Sequence, residues 1–239
     1  MPATASSTVK LIKKSSEYQE ICMQAQPAAG SSPTSGGKIA LLILAGGDSK
    51  RMGCCKAFYP VSGQPMIKLV FDRIKELSNE TIISCKKYWA DFAKMFPEAK
   101  VIADRSLEEG PIIGLLSALP EVVSDYVAVL ACDCPWTNPD VITFLYGRAK
   151  GHDGAMLRWP NGFIEPLQAV YRTKKLLAAA TAAKKEGKNR LGEVVNFLDD
   201  IVYVAPEELT KFDPDLISFT NINSPEDLQK HGEILRKGK

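Results

Sequence analysis

The sequence predicts an α/β domain: a doubly wound, mostly parallel sheet with helices on both faces. Three observations lead there. Short, continuous apolar runs recur along the chain, as strands buried on both faces require. Segments with helical spacing separate them, and parallel neighbours need such crossovers. A glycine-rich loop follows the first apolar run directly, at the place where open α/β sheets hold their ligands.

The elements follow in order. Ile39–Leu44 is a buried strand. Pro65–Leu77 sets Met66, Leu69, Val70, Ile74 and Leu77 at helical spacing. Thr81–Cys85 reads as a strand, Tyr88–Met95 as a helix and Lys100–Ala103 as a short strand. Pro111–Val123 reads as a helix with proline in its first turn, where the missing N–H has no partner to lose. Tyr126–Ala131 is another buried strand. Asn138 and Pro139 open a helix that runs to Arg148. Strands near Gly154–Leu157 and Leu167–Tyr171 come next, then an alanine-rich helix Thr173–Glu186 and a strand Ile201–Val204. Pro225–Leu235 closes the chain as a helix capped by Ser224. This assigns residues 39–239 to a single domain. Residues 1–38 are rich in Ser, Thr, Ala, Pro and Gly and end in a linker-like stretch, Ala28–Gly37. They are expected to form a flexible N-terminal extension, with 8–24 as its one candidate for a short helix.

Composition removes whole classes of function. The 239 residues carry 30 basic and 28 acidic side chains, a net charge of +2, unlike the strongly basic domains that bind nucleic acid in bulk. The longest apolar run, Ile39–Ala45, is far short of the ~20 residues of a membrane span. No nucleic-acid or membrane partner is therefore expected. The six cysteines form no CxxC pair, and neither His152 nor His231 lies in a metal-binding motif. Reduced thiols in a cytoplasmic setting are the expectation.

The chemistry gathers at strand ends. Leu44-Ala45-Gly46-Gly47 opens a loop whose glycines let backbone N–H groups approach an anion. Lys50, Arg51 and Lys56 add three positive charges, which suits a triphosphate. The P-loop pattern is absent, because no Gly-Lys-Ser/Thr follows, and the dinucleotide spacing fails as well. A triphosphate calls for a divalent cation with oxygen ligands, usually Mg²⁺. Asp133 lies just past the strand Tyr126–Ala131, with Pro135 fixing the turn behind it, and is the candidate metal ligand. Asp104 follows the strand Lys100–Ala103 and is the second candidate carboxylate. Asn221 and Asn223 lie two apart in an extended segment and are expected to face opposite sides.

Leu-Ala-Gly-Gly-x-Ser-x-Arg-Met-Gly-x-x-Lys (44–56) resembles the opening signature of the MobA-like nucleotidyltransferases, the molybdenum cofactor guanylyltransferases and their relatives. Four further segments are similar to that family in the same order: Gly110-Pro111-x-x-Gly114, Asp133-x-Pro135, Pro166-Leu167-x-x-x-Tyr171 and Asn221-x-Asn223-x-Pro225. The resemblance implies a Rossmann-like nucleotidyltransferase that passes GMP from GTP to the phosphate of molybdopterin and releases pyrophosphate. It implies that Leu44, Ala45, Gly46 and Gly47 hold the base and sugar of GTP, that Asp104 contacts the nucleotide, and that Arg51 and Lys56 hold its phosphates. It makes Asp133 the Mg²⁺ ligand, makes Asn221 and Asn223 part of catalysis or acceptor placement, and puts Pro166–Tyr171 beside the acceptor pocket. Implied partners are GTP, molybdopterin or its molybdenum form, and transient contacts with molybdoenzymes or cofactor-pathway proteins. The double glycine favours GTP over CTP, whose users tend to carry Leu-Ala-Ala-Gly. Two departures stand out: Cys55 where the family often has Asp, and no Asn near Ser84-Cys85-Lys86. The alternatives are a same-fold transferase using CTP or another acceptor, such as phospholactate or cobinamide, and a non-catalytic cofactor-binding module.

Overall fold

A computed structural model of the chain describes residues 39–46, 55–104, 106, 108 and 110–230. The expected extension 1–38, most of the glycine loop, and the end of the closing helix lie outside these residues. Among the described residues, seven strands form one sheet. They are β1 (Ile39–Leu44), β4 (Thr81–Cys85), β5 (Lys100–Ala103), β6 (Tyr126–Ala131), β7 (Gly154–Leu157), β8 (Ala169–Arg172) and β9 (Ile201–Val204). Two short strands, β2 (Pro60–Val61) and β3 (Gln64–Pro65), make a separate hairpin.

The sheet order is β5-β4-β1-β6-β8-β7-β9. The first four strands run parallel, β8 is antiparallel to both of its neighbours, and β9 is parallel to β7. In chain order the helices include α1 (Met66–Ile74), α2 (Trp89–Met95), α3 (Pro111–Ala118), α4 (Pro139–Ala149), α5 (Thr173–Lys185), α6 (Leu191–Val195) and α7 (Pro206–Leu209).

Strand alternation divides the core in two. Leu41 and Ile43 of β1 face a layer built from α1, α2 and α4, with Ile67, Phe71, Phe92 and Leu145. Ala40 and Leu42 face the other layer, built from α3, α5 and α6, with Ile112, Leu115, Leu176 and Val194. Both faces are buried, which is why these strands read as unbroken apolar runs rather than alternating ones.

The predicted elements hold, with local differences that have physical causes. The helix expected over Pro111–Val123 gives way after Ala118 to a tight turn, Leu119–Glu121, because Pro120 has no N–H to continue the ladder. The strand expected from Leu167 starts at Ala169, since Gln168 has a left-handed backbone (φ 67°). The closing helix is seen at 225–230, and Ser224 caps it: its hydroxyl accepts from the Asp227 N–H at 3.3 Å, and Asp227 accepts in return from the Ser224 N–H at 2.9 Å. The β2–β3 hairpin and the short helices α6 and α7 were not foreseen, as each is too short to carry a periodic signal.

Candidate active site

The parallel strands deliver their C-terminal ends to one edge of the sheet, and the candidate residues collect there. Backbone bonds continue the ladders past the strand ends. The Ala45 N–H donates to the Ser84 carbonyl at 2.8 Å, the Asp104 N–H to the Cys85 carbonyl at 2.8 Å, and the Cys132 N–H to the Leu44 carbonyl at 3.3 Å. Leu44, Ala45 and Asp104 are thus held by the sheet, and Gly46 and Asp133 each lie one residue past a position so bonded.

Two clusters form on this edge. In the first, Lys56 bridges two distant segments. Its Nζ donates to Asp133 Oδ2 at 2.5 Å and to Asn223 Oδ1 at 2.7 Å. The side chains of Lys56 and Asp133 are 14% and 20% exposed, so the pair sits at the mouth of the site. The Ile222 N–H donates to the Asp133 carbonyl at 2.9 Å, which fastens the asparagine segment to the strand end. Asn221 belongs to the same cluster: its Oδ1 accepts from the Cys134 thiol at 2.9 Å. Burial, followed by the charge of Asp133, pushes the Cys134 thiol well above its ordinary value, so it stays a proton donor. The two asparagines were expected on opposite sides; positions two apart on an extended segment share a face, and both anchor beside Asp133, one through Lys56 and one through Cys134.

In the second cluster, Asp104 Oδ1 accepts from the buried Ser84 hydroxyl at 2.7 Å, and that hydroxyl also lies 3.2 Å from the Gly114 carbonyl. Gly46 and Gly114 make this approach possible. A Cβ on Gly46 would stand 3.0 Å from Asp104 Oδ2, and one on Gly114 would stand 3.1 Å from both Ser84 Oγ and Leu44 Cδ2. Burial raises the Asp104 carboxyl above its ordinary value, while the Ser84 bond and the charge of Lys86 pull it back. The Cys85 thiol beside it is pushed up to about 12, by burial first and by Asp104 second.

Gly47 and Arg51 lie outside the described residues, so the structure places neither. Ser84 and Cys134 are site neighbours that sequence reasoning missed as participants. Ser84 left one signal, a polar residue near the end of an apolar strand; Cys134 left none, since a thiol there reads as core. Away from both clusters, Lys184 pairs with Glu108 and also reaches Asn189.

The donor set suits a cation carried largely by substrate. Among the described residues, no group of three or more His, Cys, Asp or Glu gathers as a metal cage. Asp133 offers one carboxylate whose Oδ2 holds Lys56 and whose Oδ1 has only a weak contact with the Cys134 thiol at 3.9 Å. Mg²⁺ is commonly held by one or two carboxylates together with phosphate oxygens, so these residues fit it.

Comparison with known proteins agrees with this geometry. Residues 41–201 match the family model described as the MobA-like NTP transferase domain. A probable molybdenum cofactor guanylyltransferase from Methanosarcina mazei is 34% identical over 197 residues, 79% of this chain and 87% of the relative. The molybdenum cofactor guanylyltransferase of Desulfosudis oleivorans is 29% identical, covering 83% of this chain and 96% of its own. The crystal structure of molybdopterin-guanine dinucleotide biosynthesis protein A from Archaeoglobus fulgidus superposes with a TM-score of 0.70 at 29% identity, over 83% of this chain and all of that one. A 4-diphosphocytidyl-2C-methyl-D-erythritol synthase from Anaerococcus prevotii, at 14% identity and a TM-score of 0.64 over 84% of this chain and 96% of that one, shares the fold. The strand ends, the carboxylates they carry and these likenesses lead to one assignment: the chain belongs to the MobA-like NTP transferase family.

Proposed function

We infer that this protein transfers GMP from GTP to the phosphate of molybdopterin, releasing pyrophosphate and forming the guanine dinucleotide cofactor. The names of the relatives support the reaction. The observation that carries the site assignment is the Lys56–Asp133–Asn223 constellation, a cation, a carboxylate and an amide brought together from three distant segments.

In this reading the nucleotide lies along the parallel half of the carboxyl edge. Leu44, Ala45, Gly46 and Gly47 give the base and sugar a surface without bulk, and Asp104, set by Ser84, takes donor groups of the guanine. Arg51 and Lys56 hold the phosphates. Lys56 leaves Asp133 for the triphosphate and stabilises the charge that grows on departing pyrophosphate. Asn223 and Asn221 position the acceptor's phosphate for in-line attack on the α-phosphorus. That phosphate is ionised at neutral pH, so no general base is needed, and positioning with charge neutralisation carries the rate. Asp133 would hold Mg²⁺ together with phosphate oxygens; when bound, the ion supplies charge neutralisation and Lewis-acid polarisation at the phosphates.

The division into an extension, 1–38, and a transferase domain, 39–239, belongs to the same reading. So does a cytoplasmic setting, supported by the buried thiols Cys85, Cys132 and Cys134. Among the described residues, no helix is long and apolar enough to cross a membrane.

The test is a transfer assay with GTP, molybdopterin and Mg²⁺, run beside thermal melts with each of the four nucleoside triphosphates. GTP at 100 times its dissociation constant stabilises by about 2.7 kcal/mol. The expected result is a guanine dinucleotide product and a magnesium-dependent melting shift with GTP alone. A shift with CTP in its place, or no product, overturns the reading.

A further inference from the structure

One carboxylate on the working edge has no part in the mechanism above. Glu165 lies in the connection between β7 and β8, residues 158–168. Because β8 is antiparallel to both β6 and β7, this connection emerges at the same edge as Asp133. Asp104 stands three strand spacings to one side of β6, and the β7 end stands two spacings to the other. At ~4.8 Å per spacing, that is about 14 Å and about 10 Å. Asp133 therefore sits between the two carboxylates.

The connection is a rigid hairpin. The Trp159 N–H donates to the Phe163 carbonyl at 2.7 Å, the Gly162 N–H to the Trp159 carbonyl at 2.8 Å, and the Glu165 N–H to the Leu157 carbonyl at 2.9 Å. The Tyr171 hydroxyl ties down the Pro166 carbonyl at 2.6 Å. The Glu165 side chain is fixed as well, since its Oε1 accepts from the Trp159 indole N–H at 2.7 Å. Trp159 in turn packs edge-on against Phe219, two residues before Asn221, with ring centres 6.4 Å apart. The charge of Glu165 is felt at the Cys134 thiol, next to Asp133. Burial raises its carboxyl, and only the indole N–H opposes that. Among the described residues no cation pairs with it. The nearby Gln168 is buried with its Oε1 unpartnered among the described residues, so this side of Asp133 holds unused acceptors.

A pinned carboxylate with no cation partner among the described residues suits a ligand that offers paired N–H donors. A pterin has them: N3–H and the 2-amino group stand side by side on one edge. We propose that Glu165, oriented by Trp159, binds that edge of the acceptor's pterin ring and so selects the acceptor. This rests on the transferase reading and deepens it. Two carboxylates flanking Asp133 would then read the same donor pattern, Asp104 on guanine and Glu165 on pterin.

The test uses the full chain, 6-hydroxymethylpterin phosphate, and the matching lumazine, in which an oxygen replaces the 2-amino group. Binding is followed by ligand fluorescence, with GTP-induced melting shifts alongside. Glu165→Gln keeps an acceptor for the indole but loses the charge and one of its two acceptors. Its affinity for the pterin is expected to fall roughly tenfold to a hundredfold, with the preference over lumazine narrowed and the GTP shift unchanged. Trp159→Phe is expected to weaken pterin binding in the same direction. Equal pterin affinity in Glu165→Gln and wild type overturns the proposal, as does a matching loss of GTP binding. Wild type that is stabilised by GTP but does not bind the pterin overturns this proposal alone. Wild type that does not bind GTP overturns the transferase reading first.

Discussion

The two halves of the sheet are built by different rules, and the difference explains the layout of the site. In β5-β4-β1-β6 every strand runs the same way, so each helical crossover returns the chain to the far edge. Among the described residues, the strand tips bring Gly46, Asp104 and Asp133 to the carboxyl edge, which suits a nucleotide gripped by backbone and by a few fixed side chains. In β8-β7-β9 one strand is reversed. That reversal keeps the β7–β8 connection on the working edge, where a hairpin stands beside Asp133. The parallel half gives a ledge of strand tips, where Gly46 and Gly114 leave room beside Asp104 and Ser84, and the mixed half gives a hairpin. A reaction that joins two substrates can use one of each.

The largest expected effect lies on the boundary between the halves. Asp133→Asn should lower single-turnover transfer by about 10²–10³, the usual scale for losing one preorganised charge contact. The melting temperature should hardly move, because the Lys56–Asp133 pair is partly exposed and such pairs contribute little to folding. Transfer at the wild-type rate in this variant would remove Asp133 from the chemistry. A large drop in melting temperature would make it a structural residue instead.

Stability should separate the halves next. Leu42 is fully buried in the parallel half, and Leu42→Ala should cost about 2–5 kcal/mol. Val202, on the edge strand β9, is only partly buried, and Val202→Ala should cost about 1 kcal/mol. Urea unfolding of both variants checks the contrast. Equal costs would mean that the edge strand is as firmly held as the centre.

Much of the parallel half was legible in the sequence, because its strands are short apolar runs bounded by glycine, proline and capping residues. Ile39–Leu44, Thr81–Cys85 and Tyr126–Ala131 have the bounds expected of them. Asp104 and Asp133 were legible for the same reason, each being the first acidic residue past a strand. The mixed half was harder. Strand direction leaves no mark in an apolar run such as Ala169–Arg172, so the reversal of β8 emerges only from long-range pairing. The bond between Ser84 and Asp104 joins positions 20 residues apart, and that between Cys134 and Asn221 joins positions 87 apart. No local pattern encodes either. Glu165 carries no local signal, since its link to Trp159 depends on a hairpin that sequence spacing did not suggest.

Asp104 permits a test in which stability and function move in opposite directions. Its carboxyl is raised above 3.8 by burial, so the folded chain holds that proton to higher pH than the unfolded chain does. Stability from this group is therefore highest below its ordinary value and declines as pH rises through the raised one. Asp104→Asn keeps an oxygen for the Ser84 hydroxyl and removes the buried charge. The variant should be more stable than wild type at neutral pH, with a flatter urea midpoint from about pH 4 upward, while GTP affinity falls. A variant less stable at neutral pH would show that Ser84 and Lys86 more than offset the burial.

The smallest effect tests whether the two halves act independently. Tyr171 is buried in β8, and its hydroxyl donates to the Pro166 carbonyl beside Glu165. Tyr171→Phe keeps the ring and leaves that carbonyl without its partner, at a cost of about 1 kcal/mol. For a domain of this size that is a drop in melting temperature of roughly 2–4 °C. The loosened segment carries Glu165 and no residue of the nucleotide ledge. The KM for the acceptor should therefore rise while the KM for GTP stays put. If both rise together, the hairpin and the ledge move as one body, and the reversed strand couples the substrates instead of separating them.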